Sequence, residues 1–206
     1  MRIVGRRSRS RLLVTSVLVA SVLSGCSGGS SLFTSAPPPA YDLAAARSIS
    51  HRAGRPHGQL VVVEPTALAA FDADKVVVRP QPGETAALMD AQWEDRLPKL
   101  VQARLIQSFE NANWLRRVGR PEDKLATDFV LVTDVRHFEI SAADQSAVVE
   151  IAAKIVRERT GRIMSARVFR AVVPAPSTRG EGAVAALNEA FVKVAREVVL
   201  WAARRL

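Results

Sequence analysis

A single cysteine, Cys26, ends an apolar run that begins at Leu12, and its position limits what the chain can fold into. Ahead of the run stand Arg2, Arg6, Arg7, Arg9 and Arg11, with no acidic residue among them. A basic start followed by a short apolar stretch is the layout of a secretory signal peptide. Leu12 to Leu23 is interrupted only by Thr15, Ser16 and Ser21. At about 12 residues it is too short to cross ~30 Å of hydrocarbon, which takes about 20. Residues 1–25 are therefore expected to be removed, leaving 206 − 25 = 181 residues. With its one thiol at the new boundary, the mature chain has no disulfide to close and must rest on a hydrophobic core. A chain of that length can build one.

The tetrapeptide Leu23-Ser24-Gly25-Cys26 resembles the bacterial lipobox. In that class of signal the cysteine receives a diacylglyceryl thioether, the peptide is cut before it, and the new amino terminus is acylated. The resemblance implies lipidation at Cys26, and the covalent lipid is the only attached group the sequence calls for. A thiolate is the side chain able to form the thioether, and Ser24 and Gly25 are small enough for a narrow peptidase cleft. One acyl chain holds a protein only marginally at a membrane, whereas two or more anchor it stably. In many Gram-negative lipoproteins an aspartate after the cysteine retains the protein in the inner membrane. Ser27 stands there instead, which implies the periplasmic face of the outer membrane.

Charge narrows the partners. The formal net charge of +9 includes the five leader arginines, so the mature chain carries +9 − 5 = +4. So small an excess gives no reason to expect nucleic acid. Residues 26–40 read as a tether, flexible through Ser-Gly-Gly-Ser-Ser and stiff through Ala-Pro-Pro-Pro. A single domain is expected over 41–206. Its first stretch, with Arg47, His51, Arg52, Arg55 and His57, is broken by Gly54 and Pro56 and reads as a solvated basic loop. His51 and His57 lack a cysteine or carboxylate at ligand spacing, so no metal site is expected.

The β-branched runs Gln59–Glu64 and Lys75–Arg79 predict strands, each stopped by proline. Residues 85–93, ending in Trp93, predict a weaker third. Leu97, Val101, Leu105 and Phe109 recur every four residues and predict an amphipathic helix over 95–113, with Pro98 tolerated in its first turn. Residues 114–118 suggest a short strand. Three long strands follow, over 127–141, 147–159 and 162–173, the last two joined at Thr160-Gly161. In the middle one Val149, Ile151, Ala153 and Ile155 share a face. The last alternates Met164, Ala166, Val168 and Val172 against Ser165, Arg167 and Phe169. Charges on one side imply a sheet with one face at least partly open to water. From Ala183 onward, Leu187, Phe191, Val194, Val198 and Trp201 form a helical stripe, with Arg204 and Arg205 expected in its last turn. The order predicts an α+β domain: a mixed, mostly antiparallel sheet with two helices packed on one face.

Chemistry is sparse. There is no glycine-rich phosphate loop, no GxSxG, no HExxH and no paired cysteine. His137 lies near Asp134 and Glu139; regular alternation places Glu139 on its face and Asp134 on the opposite one. No nucleophile accompanies them, so a surface histidine is expected rather than an active site. Trp93, Trp114 and Trp201 fall at element boundaries or on apolar stripes, as packing residues do. No enzyme is expected, and no cofactor.

Across about 165 residues, the order of several short motifs resembles the auxiliary lipoproteins of ABC-type transporters, the paraquat-inducible protein C-like group. They are Tyr41-x-Leu43, Val63-x-Pro65, Val76 to Arg79, Trp93 before Leu97-Pro98, and Ala126 to Leu131 leading into His137-Phe138-Glu139. Ser165-x-x-x-Phe169, Ala186 to Phe191 and the late Trp201 complete the set. The resemblance implies an accessory of a mammalian-cell-entry (MCE) system moving lipid or another hydrophobic substrate. Its partners would be an MCE-domain protein with its ABC permease and ATPase, and the membrane through the lipid anchor. A conduit role would be compatible with a homo-oligomer. Trp93, Arg116 and Arg117 are the candidate partner interface. An alternative stays open: a structural envelope lipoprotein gripping cell wall or anionic headgroups through the open sheet face, or through basic residues such as Arg116, Arg117 and Arg120.

Overall fold

The computed structural model describes residues 37–47, 49, 58–124 and 126–206. The leader, Cys26, most of the tether, His51 and His57 lie outside them. Pro38–Leu206 form one compact unit. Its elements run β1 (Ala40–Tyr41), β2 (Gln59–Val62), β3 (Thr66–Ala67), β4 (Lys75–Arg79), β5 (Ala86–Trp93), α1 (Leu97–Ala112), β6 (Arg117–Gly119), β7 (Phe129–Ser141), β8 (Ser146–Arg157), β9 (Arg162–Pro174) and α2 (Gly180–Ala203).

Strand β7 is the spine of the single sheet. Along one edge it pairs over nearly its whole length with antiparallel β8, which in turn carries β9. Along the other edge three short strands share it in parallel: β2 at Phe129–Leu131, β3 at Asp134–Val135 and β4 at Glu139–Ser141. Beyond them β6 extends β2, and β5 extends β4 and carries β1. The long ladders are antiparallel and the short ones mostly parallel. That is the mixed α+β sheet with two helices that the pattern predicts.

The helices begin and end for local reasons. In α1, Pro98 falls in the first turn, where its missing N–H is not needed. Asn113 closes it in the left-handed conformation (φ 52°), its N–H reaching Glu110 O at 3.0 Å. Leu97, Val101, Leu105 and Phe109 are all buried. Their stripe docks beside β2, where Gln102 donates through Nε2 to Val62 O at 2.9 Å. At the start of α1, the backbone N–H of Arg96 donates to Asp95 Oδ1 at 2.7 Å, which holds that carboxyl below its ordinary range. The Arg96 guanidinium pairs with Asp72 and, at 3.0 Å, with Glu64. The hydrogen bond to Asp72 foremost raises its pKa further.

Helix α2 has no side-chain cap of its own. Asp90 from β5 serves instead, its Oδ1 accepting the Gly180 N–H at 3.1 Å. Leu187, Phe191, Val194, Val198 and Trp201 are buried, as their spacing predicts. Each such side chain contributes about 1.5–3 kcal/mol by leaving water. The helix ends at Ala203, so Arg204 and Arg205 lie just past the last turn rather than in it.

The segment after Tyr41 is strapped across both helices. The Ala44 N–H donates to Asn188 Oδ1 at 2.7 Å and the Ala46 N–H to Ser108 Oγ at 2.9 Å, while Asn111 donates to Ala46 O at 2.9 Å. Asn188 thus has a definite task inside the Ala-Leu-Asn motif.

Two departures concern the sheet. Between Val135 and His137 the β7–β8 register shifts, leaving Arg136 as an extra residue. This bulge reverses the parity of the strand: Leu131 and Val135 face the helices before it, Phe138 and Ile140 after it. Asp134 and His137 consequently share the uncovered face, correcting the expectation that they point apart. On β9, the core side is the one carrying Phe169 and Val173. The apolar set Val168 and Val172 faces away from the helices.

Candidate functional site

Away from the helices the sheet presents a face with an unusual composition. Register places Val61, Val130, Val156 and Ile163 side by side in one row. The next rows are Val132, Lys154 and Ala166, then Thr66, Asp134, Ala152 and Val168. A charged band follows, with His137, Glu150 and Arg170, and beyond it Val77, Glu139, Val148 and Val172. Four large aliphatic side chains stand open on this face: Val132 is 36% exposed, Val168 44%, Ile163 53% and Val172 54%. Single exposed aliphatics are ordinary, but four on one sheet face single it out as a candidate interaction surface.

The charged band is internally paired. Arg170 Nη1 lies 3.0 Å from Glu150 Oε2, and Arg136 Nη1 lies 3.8 Å from Glu150 Oε1. Thr66 donates to Asp134 Oδ1 at 2.9 Å. Glu139 is buried at 5% exposure; its Oε1 is 2.7 Å from Arg79 Nε and 2.9 Å from His137 Nδ1. These pairs offer positioning and charge but no nucleophile. Among the described residues no group of three or more His, Cys, Asp or Glu is placed to hold a metal ion. No described helix is long and apolar enough to cross a membrane.

Trp93 does not belong to this surface. It is 2% exposed, meets Phe138 edge-on with ring centres 5.7 Å apart, and donates its backbone N–H to Asp74 O at 2.7 Å. Its expected part in a partner interface is corrected to one in the core. Arg116 and Arg117 are exposed near the other end of the strand order, beside and within β6. They line a cleft of about 390 Å³ together with Phe109, Glu110, Leu115 and Asp123. Two carboxylates beside two guanidiniums make the cleft mixed in charge rather than anion-seeking. The outward aliphatics of β7 and β9 were the features sequence reasoning undervalued. Alternation revealed them as a set but not as the open side.

A model of the family described as the ABC-type transport auxiliary lipoprotein component matches residues 41–199. The chain belongs to this family. It is 32% identical over 162 residues to an uncharacterised protein of Bradyrhizobium diazoefficiens, covering 78% of this chain and 44% of that relative, so the chain spans less than half of its length. The crystal structure of protein XCC0632 from Xanthomonas campestris superposes with a TM-score of 0.70 at 27% identity, covering 81% of this chain and 95% of that one. Another uncharacterised protein of known structure shares the fold at a TM-score of 0.62 and 12% identity, covering 78% and 99%. The family is described as the auxiliary lipoprotein component of ABC-type transport.

Proposed function

We propose that this lipoprotein is the outer-membrane-side accessory of an MCE-type ABC transporter, docking the periplasmic conduit through which lipid or another hydrophobic substrate passes. It acts by binding, without catalysis or cofactor, and is held to the membrane by acyl chains on Cys26. The observation that carries this reading is the open sheet face, with Val132, Ile163, Val168 and Val172 exposed, in a member of an ABC transport auxiliary family. An apolar surface crossed by a band of paired charges suits a protein partner, because protein interfaces combine apolar area with paired polar groups.

Affinity purification of the full-length chain from crosslinked cells, followed by mass spectrometry, tests it. Recovery of an MCE-domain protein with its permease and ATPase is expected. Recovery of only cell-wall or β-barrel proteins overturns the reading. Cys26→Ala should move the protein from the membrane to the soluble fraction; continued sedimentation with the outer membrane would exclude the lipid anchor. Of the structural alternative, only the form that grips headgroups through Arg116 and Arg117 is disfavoured, by Glu110 and Asp123 in the same cleft.

A further inference from the structure

Among the described residues β9 pairs with β8 alone, so its outer side is a free sheet edge. Of its 13 residues only Phe169 and Val173 are buried. An edge strand directs alternate N–H and C=O groups away from the sheet, a row that another strand can take up. Proteins usually blunt such edges by shortness, charged side chains, proline or a bulge, and charge deters pairing only with strands that do not answer it. This one is long, its only proline is the terminal Pro174, and its one irregularity lies near its start, at Met164.

The edge carries charge of one sign. Residues 159–180 include Arg159, Arg162, Arg167, Arg170 and Arg179, with no Asp or Glu. Arg170 is engaged by Glu150 within the sheet, and Arg167 stacks over the Phe169 ring, 5.1 Å from its centre. Next to these arginines stand the open side chains of Ile163, Val168 and Val172.

We propose that β9 takes up an extended, acidic segment of a partner protein as an added strand. Backbone pairing supplies the register, alternate apolar residues cover the valines, and carboxylates meet the arginines as opposite-charge cross-strand pairs. A second copy of β9 does not fit, because it sets arginines against arginines with no acid between them. An anionic lipid surface would satisfy the arginines but leave the backbone row unpaired. The inference rests on the reading that the chain docks a protein, and it is independent of which protein that is.

The test places a benzophenone amino acid at Ala166 or Val168 of the full-length chain in cells, with Leu68, exposed just past β3 and separated from β9 by β7 and β8, as reference. A protein crosslink is expected from both β9 positions and not from Leu68, mapping by mass spectrometry to a net-acidic segment. Arg162→Glu with Arg167→Glu should cut its yield about tenfold without shifting the unfolding midpoint. If that pair fails to fold, Arg162→Gln with Arg167→Gln should cut it about threefold. A crosslink to a second copy, to lipid only or to a basic segment, no crosslink, or a yield unmoved by these variants overturns the proposal. An acidic crosslinked segment in a protein unrelated to MCE systems would uphold the edge and sink the transporter reading. Capture of the MCE protein through Leu68 alone would do the reverse.

Discussion

Trp93 shows how far a side chain's type can mislead about its place. A tryptophan at the end of a strand suits a core or an interface equally, because its large apolar ring profits from either. Here the neighbouring Phe138 and the paired β1 enclose it. Trp93→Ala should therefore destabilise the fold by about 3–5 kcal/mol, as aromatic-to-alanine changes in cores do, read as a shift in the urea midpoint. A partner role without a core role would leave that midpoint unmoved. Asp95 makes a smaller, pH-dependent contribution. Its carboxyl is held below the ordinary value of 3.8, foremost by the Arg96 N–H and also by Lys99, against an opposing desolvation. A lowered carboxyl stabilises above its unfolded pKa and loses that contribution as pH falls through the folded one. Wild type should melt above Asp95→Asn near neutrality, and the gap should close on acidification below about pH 4. A gap that persisted at low pH would place the effect elsewhere.

Elements were legible wherever a period ran uninterrupted. The four-residue spacing from Leu97 to Phe109 gave α1 its buried side, and β8 buries the four residues its alternation selects. What stayed hidden depended on neighbours. The tiny β3 exists because β7 offers it an edge, and nothing in Thr66-Ala67 announces a strand. The bulge at Arg136 could not be read either, since Phe129 to Val132 is apolar at every position and gives no parity to break. Its consequence can be tested. Deleting Arg136 should restore regular alternation and turn either Phe138 and Ile140 or the preceding half of β7 outward. Losing the burial of those two side chains alone costs about 3–6 kcal/mol, so the deletion variant should unfold at much lower urea or fail to fold. Near-normal stability would mean that the ladder re-registers without cost.

At the scale of the whole molecule, the helices settle which side of the sheet is free, and this decides the docking face. The alternation in β9 sorts its residues into two sets, one mostly aliphatic but holding Arg170, the other with Arg167 and Phe169. Taken alone, it invites the aliphatic set inward. The helices cover the other set because Phe169 and Val173 reach them, with Phe169 edge-on to Trp201 at 5.5 Å. Val132, Ile163 and Val168 are thereby left open, and stability gives little reason for them to be aliphatic. Exchanging the three together for threonine keeps their β-branched character and so suits a strand. Exposed substitutions of this kind usually change stability by no more than about 0.5 kcal/mol each, so thermal unfolding should barely move. A docking partner would instead lose apolar contact at three neighbouring positions. A loss of even ~1.4 kcal/mol is tenfold in affinity, and recovery of the partner from crosslinked cells should fall by at least that factor. A large drop in unfolding temperature would show that the face serves the fold. Unchanged recovery with unchanged stability would place the docking surface elsewhere on the molecule.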